Sequence, residues 1–230
     1  HFQHPHFRSH DDQVVLGHRL VDRLAADPNS LSMRGQQRTA TILFGDLAGF
    51  TTISEKLGSE AVVATLNLYM SAMAKELTDR RAYVNKFLGD GILAFWSAFG
   101  EEPEQGQLAA EACRACQRVV TEIGMRPDRQ GLPKVSLRLG VATGVVTIGD
   151  CGAPPDLNDY TVIGDSANLA ARLESANKQF GTAILFDGNT RELIHDAGGL
   201  PIVALGRVVV VGQSVPIDAF TMLIEEPAPG

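Results

Sequence analysis

The fold of this chain follows from the stretch Thr39-Ala-Thr-Ile-Leu-Phe-Gly-Asp46-Leu-Ala-Gly-Phe-Thr-Thr52. Its apolar first half, rich in strand-forming residues, predicts a buried β-strand. Gly49 breaks that strand, and Thr51 or Thr52 is the predicted N-cap of a following helix. Asp46 is therefore expected at a strand-to-helix turn, where the backbone N–H groups of a helix N-terminus can bind phosphate oxygens.

Two interpretations of Asp46 are open on this stretch alone. The carboxylate either caps the following helix or binds a divalent cation that bridges it to a phosphate. Without a cation, the two anions would repel each other. Magnesium suits the second arrangement, because it binds one or two carboxylates together with substrate phosphates and retained water.

The composition is that of a soluble globular protein. The chain has 230 residues, of which 44% are hydrophobic and 20% are charged. The net charge of −7 argues against nonspecific binding of nucleic acid, which needs clustered cations. No apolar run approaches the roughly 20 residues of a membrane span, and no signal peptide is visible. We expect a cytoplasmic domain of a longer protein with an upstream sensor or membrane region, because the sequence starts at His1 without Met.

The three cysteines do not form a disulfide framework by count. Cys113 and Cys116 have C-x-x-C spacing, but they lie among small apolar residues at helical spacing. We therefore predict that both pack inside a helix interface and bind no zinc.

The pattern of the chain predicts a linker followed by one domain. Residues 1–36 are predicted to be the linker, with a short amphipathic helix over 14–26, and residues 37–225 the catalytic domain. The element order predicts an α+β fold, with one mixed sheet and helices packed on one face. After the first strand the predicted elements are helix 59–80, a hairpin within 81–97, helix 107–123, strands over 135–148 broken at Gly144, strand 160–163, helix 166–180, strand 183–186, helix 189–195, and an antiparallel pair over 202–211 and 215–223.

A second carboxylate, Asp90, lies at the predicted hairpin tip Gly89-Asp90-Gly91. An aspartate in such a turn is common. Lys86, however, is a charged residue in the apolar strand just before it, and Asp46 needs a partner to hold metal. Two carboxylates at neighbouring strand ends could bind a pair of magnesium ions.

A third stretch, within 158–174, contains Asn168 and Arg172. They are four residues apart and so share one helix face. A solvated polar face is the ordinary explanation. Packing alanines surround the pair, however, which favours a role in which Asn168 orients a sugar and Arg172 stabilises phosphoryl charge.

Three ordered motifs resemble the catalytic domain of class III nucleotidyl cyclases. They are Phe44-Gly-Asp46-Leu-Ala-Gly-Phe-Thr51, Lys86-Phe-Leu-Gly-Asp90-Gly91, and Asp159-Tyr-Thr161-Val-Ile-Gly-Asp-Ser-Ala-Asn168-Leu-Ala-Ala-Arg172. The resemblance implies a ferredoxin-like mixed sheet, and it covers the chain from about residue 38 onward.

The same resemblance implies a role for each matching position. It implies metal ligands at Asp46, Asp90 and the Leu47 carbonyl, base selection by Lys86 and Thr161, ribose orientation and transition-state stabilisation by Asn168 and Arg172, and substrate binding at Gly49, Phe50 and Thr51. Lys86 with Thr161 resembles the adenine-specific pair of a Thr-bearing subgroup, some members of which respond to bicarbonate. Lys can also donate to adenine N1, whereas the N1–H of guanine would be repelled.

The implied activity is that of an adenylyl cyclase, a phosphorus–oxygen lyase that converts ATP to 3′,5′-cyclic AMP and pyrophosphate. Two Mg²⁺ or Mn²⁺ ions per site and a homodimer with shared sites are implied with it. One departure is that the segment 209–213 lacks the family's triphosphate-binding lysine. A guanylyl or promiscuous cyclase, and a catalytically silent nucleotide-binding regulatory module, are the alternatives.

Overall fold

The computed structural model describes residues 35–129, 132, 134–153, 157–195 and 199–224. The predicted helix over 14–26 lies outside the described residues, as does nearly all of the predicted linker. The described elements are β1 (Gln36–Ala48), α1 (Phe50–Lys56), α2 (Ser59–Asp79), β2 (Tyr83–Leu88), β3 (Gly91–Phe95), α3 (Gln105–Gly124), a 3₁₀ turn (Pro127–Arg129), β4 (Ser136–Ala153), β5 (Leu157–Ile163), α4 (Asp165–Phe180), β6 (Ile184–Asp187), α5 (Gly188–Glu192), β7 (Ile202–Val208) and β8 (Ile217–Met222).

The strands form one mixed sheet in the order β2-β3-β1-β4-β6-β8-β7, with β5 paired to β4. The central strand β1 is antiparallel to both β3 and β4, while β4 is parallel to β6. The first four strands of that order, connected through α2 and α3, make the ferredoxin-like part. The predicted α+β class with a mixed sheet is thereby confirmed.

Helices cover both faces of this sheet, which corrects the prediction that they pack on one face. Leu43 of β1 belongs to the core formed with α2 and α3, whereas its neighbour Ile42 belongs to the core formed with α4. Successive residues of a strand point to opposite faces, so both faces of β1 are buried. Its continuous apolar run, instead of an alternating one, is the sequence signature of such a strand.

Two local predictions also differ from the structure. The strand β4 is continuous, and Gly144 lies inside it instead of breaking it. Helix α1 starts one residue after Gly49, which is the N-cap at a φ of 88°, so neither Thr51 nor Thr52 caps it. A left-handed backbone at that position favours glycine.

Helix α4 packs unusually close to β4 because two glycines lie beneath it. A Cβ atom at Gly140 would lie 2.1 Å from the backbone nitrogen of Glu174, and one at Gly144 would lie 2.2 Å from the Ser166 hydroxyl oxygen. A larger residue at Gly140 would push the helix backbone away from the sheet, whereas one at Gly144 would displace the Ser166 hydroxyl. The glycines therefore fix the position of the helix that carries Asn168 and Arg172.

The two cysteines of the C-x-x-C motif are packing residues, as predicted. Cys113 and Cys116 are free and buried in α3. Burial raises the pKa of the Cys116 thiol to about 12, so its reactive thiolate is strongly disfavoured. In the described ranges, no helix is long and apolar enough to cross a membrane.

We expect Gly140→Ala to lower the free energy of unfolding by about 2–3 kcal/mol, because its methyl group meets helix backbone that cannot rotate away. Urea unfolding followed by the fluorescence of Trp96, the buried single tryptophan, measures this. Gly188→Ala is the matched control, since the nearest atom to its new methyl group would be Asp218 Cβ at 3.5 Å. Equal stability of the two variants would contradict the close packing of α4.

Candidate active site

The two predicted metal-binding aspartates lie at neighbouring strand ends. Asp46 is opposite Gly91 in the pairing of β1 with β3, so Asp90 is next to it at the hairpin turn. The backbone N–H of Leu47 donates to the Asp90 carbonyl at 3.1 Å and closes that end of the ladder. The structure therefore brings Asp46 and Asp90 together, as the sequence predicts.

An arginine that the sequence analysis missed is paired with Asp46. Arg138 is directly opposite Asp46 in the pairing of β1 with β4, and its Nη2 lies 2.5 Å from Asp46 Oδ2. Its Nε also donates to Glu174 of α4 at 3.1 Å. Burial raises the pKa of the Glu174 carboxyl, while the charge of Arg138 acts in the opposite direction. One available signal was the charged residue within the alternating apolar strand 135–139.

The donor set at these strand ends fits a hard divalent cation. Asp46 and Asp90 offer carboxylate oxygens, and Leu47 can offer only its backbone carbonyl because its side chain has no ligand atom. Within the described part of the chain, no group of three or more His, Cys, Asp or Glu could hold a metal ion. A cation here would therefore complete its shell with substrate phosphates and water, which is the usual environment of Mg²⁺ in proteins.

The turn after β1 supplies backbone groups to the same region. Gly49 and Phe50 begin α1, and no side chain caps the helix. The Phe50 ring is buried in the core, whereas Thr51 is exposed. Since the first N–H groups of a helix have no partner within it, Gly49, Phe50 and Thr51 can offer backbone donors to a ligand.

The two predicted base-selecting residues also lie together. Lys86 Nζ is 2.7 Å from Asp159 Oδ2, two residues before Thr161 on β5. The Thr161 hydroxyl donates to Asn85 Oδ1 at 3.0 Å, and Asn85 Nδ2 donates to the Tyr160 carbonyl at 2.6 Å. Contacts through Asn85 and Lys86 therefore join β2 to β5, although these strands are not paired in the sheet. The sequence analysis did not single out Asn85.

Asn168 and Arg172 lie on α4, and Arg172 is next to the loop between β7 and β8. Asn168 is exposed, and the guanidinium of Arg172 lies over Gly212, where a Cβ would be 3.3 Å from Arg172 Cζ. Gly212 has a φ of 79°. Its neighbour Val211 is 86% exposed, in the segment where the resemblance leads us to expect a lysine. Arg172 therefore borders the loop that departs from the family pattern.

Within one chain, α4 separates the two groups of predicted site residues. Glu174 points to Arg138 and hence to Asp46. Two residues along an α-helix rotate the side-chain direction by about 200°, so Arg172 points to nearly the opposite side. Asn168 shares the side of Arg172. A single chain therefore does not bring Asn168 and Arg172 to the two aspartates.

Comparison with known sequences identifies the family. The profile described as "Adenylate and Guanylate cyclase catalytic domain" matches residues 33–220. Adenylate cyclase 1 of Rhizobium meliloti is 29% identical over 187 residues, which are 81% of this chain and 28% of that protein. An adenylate cyclase of Anabaena cylindrica is 33% identical over 148 residues, which are 64% of this chain and 29% of that protein. The chain thus spans less than a third of the length of these relatives.

Solved structures agree on the fold. The crystal structure of the adenylyl cyclase CyaB from P. aeruginosa has a TM-score of 0.75 and 29% identity, and covers 86% of this chain and 100% of its own. The guanylyl cyclase Cya2 has a TM-score of 0.72 and 30% identity, covering 84% and 96%. Overall similarity is thus nearly equal for an adenylyl and a guanylyl enzyme, and the choice of base depends on individual side chains. The chain belongs to the class III adenylate and guanylate cyclase catalytic domain family, whose members are metal-dependent nucleotidyl cyclases.

Proposed function

We propose that this chain is the catalytic domain of an adenylyl cyclase that converts ATP to 3′,5′-cyclic AMP and pyrophosphate as a homodimer. The observation that carries the proposal is that the chain has all of the predicted site residues, but α4 separates them into two groups. Asp46 and Asp90 lie on one side, and Asn168 and Arg172 on the other. A second copy of the chain can supply the missing half to each site, which is the symmetric arrangement expected of a two-fold dimer.

Lys86 supports ATP over GTP as the substrate. Its ammonium group has three donor hydrogens, of which Asp159 occupies one. Adenine N1 is an acceptor and can bind a second, whereas guanine carries a hydrogen at N1 and would be repelled. A guanylyl or promiscuous cyclase stays an alternative because Cya2 is as similar in fold as CyaB.

Asp46 and Asp90, with the Leu47 carbonyl, would hold the divalent cations, which we propose are two Mg²⁺ or Mn²⁺ ions. Bound there, such ions would lower the pKa of the ribose 3′-hydroxyl and offset the charge of the phosphates. Asp46 must exchange its Arg138 partner for a cation, so the guanidinium is free to turn to a phosphate when nucleotide binds.

The remaining residues position the reacting groups. Asn168 would orient the ribose so that its 3′-oxygen lies in line with the α-phosphorus. The O3′–phosphorus bond forms as the bond to pyrophosphate breaks, and the hydroxyl proton leaves to solvent. Arg172 would stabilise the charge that develops at the α-phosphate. Arg138 would supply a second cation on the half that holds Asp46, whereas residues 209–213 supply no lysine.

The catalytically silent regulatory module is favoured by one observation, the exposed Val211 in place of a cation.

We propose that residues 37–225 form the catalytic domain and that a sensor or membrane region precedes it in the full protein. The domain would then lie in the cytoplasm, where ATP is available.

Purified protein incubated with Mn²⁺ and either ATP or GTP tests the activity. We expect cyclic AMP from ATP, little cyclic GMP from GTP, and a specific activity that rises with protein concentration as chains associate. Cyclic GMP as the main product would favour the guanylyl alternative. Nucleotide binding without any cyclic product would favour the regulatory module.

Mixing two inactive variants tests the shared site. We expect Asp46→Ala and Arg172→Ala to be inactive alone, and an equal mixture to recover about a quarter of wild-type activity, since half of the dimers have one intact site. An equal mixture of Asp46→Ala with Asp90→Ala is the control, because both lesions affect the same half and no intact site can form. Equal recovery in both mixtures, or none in either, would contradict the shared-site arrangement.

Mn²⁺ binding without nucleotide tests the pairing of Arg138 with Asp46. We expect Arg138→Ala to bind Mn²⁺ about threefold more tightly, because the carboxylate loses a competing cation. Titration calorimetry measures this directly and needs no turnover. Arg80→Ala is the matched control, since the Arg80–Glu76 ion pair has side chains 25% and 20% exposed, against 26% and 29% for Arg138 and Asp46. The same gain in both variants would show that the effect is only one of net charge.

A further inference from the structure

We propose that Asn85 determines base specificity by fixing the direction of the hydrogen bond that Thr161 can make to a purine. The inference rests on the proposed function, because it concerns the base-selecting side of the same site. Asn85 acts through Thr161 and is therefore a positioning residue that need not touch the substrate.

The orientation of the Asn85 amide follows from its partner on β5. The Tyr160 carbonyl can only accept a hydrogen bond, so the group 2.6 Å from it must be the Asn85 NH₂. The reversed amide would place two acceptor oxygens in contact. The Asn85 carbonyl oxygen must therefore point to Thr161, whose hydroxyl lies 3.0 Å away.

This orientation consumes the only hydrogen that the Thr161 hydroxyl can donate. The Asn85 oxygen is an acceptor without hydrogens, so the proton of the contact comes from Thr161. The Thr161 oxygen retains only lone pairs for a ligand. A hydroxyl that could otherwise rotate to donate or accept is thus fixed as an acceptor.

An acceptor at Thr161 distinguishes the two purines. The 6-position of adenine carries an amino group, which donates, whereas that of guanine carries an oxygen, which accepts. The Thr161 oxygen would therefore bind the amino group of adenine and leave the oxygen of guanine without a donor. A polar atom that loses water on binding and gains no hydrogen bond in return weakens binding. GTP would therefore bind less tightly than ATP.

An irregularity in the backbone at Asn85 supports a specific orientation of its side chain. The pairing of β2 with β3 shifts register between Val84 and Lys86, so Asn85 is the bulged residue. A bulge redirects a side chain from the alternation of the strand, and bulges are frequent next to active sites. Here it lets the neighbours Asn85 and Lys86 both contact β5.

The test is the ratio of kcat/KM for ATP to that for GTP. We expect Asn85→Ala to lower this ratio about tenfold, mainly through a rise for GTP, because the freed Thr161 hydroxyl can rotate and donate to guanine. Asn85→Asp keeps an acceptor for Thr161, so it should keep the ratio, although its second oxygen is repelled by the Tyr160 carbonyl and should lower the stability of the protein. Asn85→Leu, which matches the amide in size, replaces Asn85→Ala if that variant does not fold.

A double-mutant cycle separates this role from a structural one. Thr161→Val removes the hydroxyl, and in that background Asn85→Ala should leave the ratio unchanged. An equal fall of kcat/KM for ATP and GTP in Asn85→Ala would overturn the proposal, since a merely structural residue has that effect.

A failure of the Asn85 proposal can be distinguished from a failure of the adenylyl cyclase proposal. Competition binding of ATP and GTP gives the ratio of the two affinities without turnover, and we expect Asn85→Ala to lower that ratio as well. If the wild-type protein forms no cyclic nucleotide, the adenylyl cyclase proposal fails, while the binding ratio of Asn85→Ala to wild type still decides the role of Asn85. An unchanged binding ratio would overturn it.

Discussion

The contact of α4 with β4 at Gly140 and Gly144 is the constraint on which the rest of the site depends. A helix that meets strand backbone with no intervening side chain cannot roll without a clash. Its rotational setting therefore decides which residues point to Asp46 and which point to the loop between β7 and β8. Because Glu174 takes the first direction and Arg172 the second, the shared site that we propose would be a consequence of packing in one chain.

Two cations near the predicted site residues are already paired with carboxylates before a ligand arrives. Arg138 lies between the carboxylates of Asp46 and Glu174, and Lys86 is paired with Asp159. Partly exposed ion pairs of this kind contribute little to the free energy of unfolding. In the proposed function, each pair would hold its cation close to the ligand, which would then have to exchange with a weakly bound carboxylate.

The sequence predicted most elements and the placement of Asp46 and Asp90 at neighbouring strand ends, because apolar periodicity and Asp-Gly turns are local signals. It did not predict the two-sided covering of the sheet or the continuity of β4 through Gly144, because both depend on where α4 packs. Arg138 was missed for a related reason. Arg138 meets Asp46 because β1 pairs with β4, and the two residues are far apart in the chain. The register of that strand pairing cannot be predicted from one sequence. Asn85 acquires its partners only when β5 approaches β2.

The absent lysine affects the two halves of the site unequally. Val211 and Arg172 lie on the same side of α4, so the loss of positive charge falls on the half that would stabilise the transferring phosphate. Among the described residues, Arg172 makes no ion pair and is available in full to a phosphate. Arg138 belongs to the other half and reaches the site with Asp46. In the proposed dimer the positive charge for the triphosphate would come from both chains, so phosphate binding would depend on association, whereas the metal-binding Asp46 and Asp90 belong to a single chain. A cyclase built this way should lose affinity for the triphosphate more than it loses the chemical step, because the lysine is missing while Arg172 is retained.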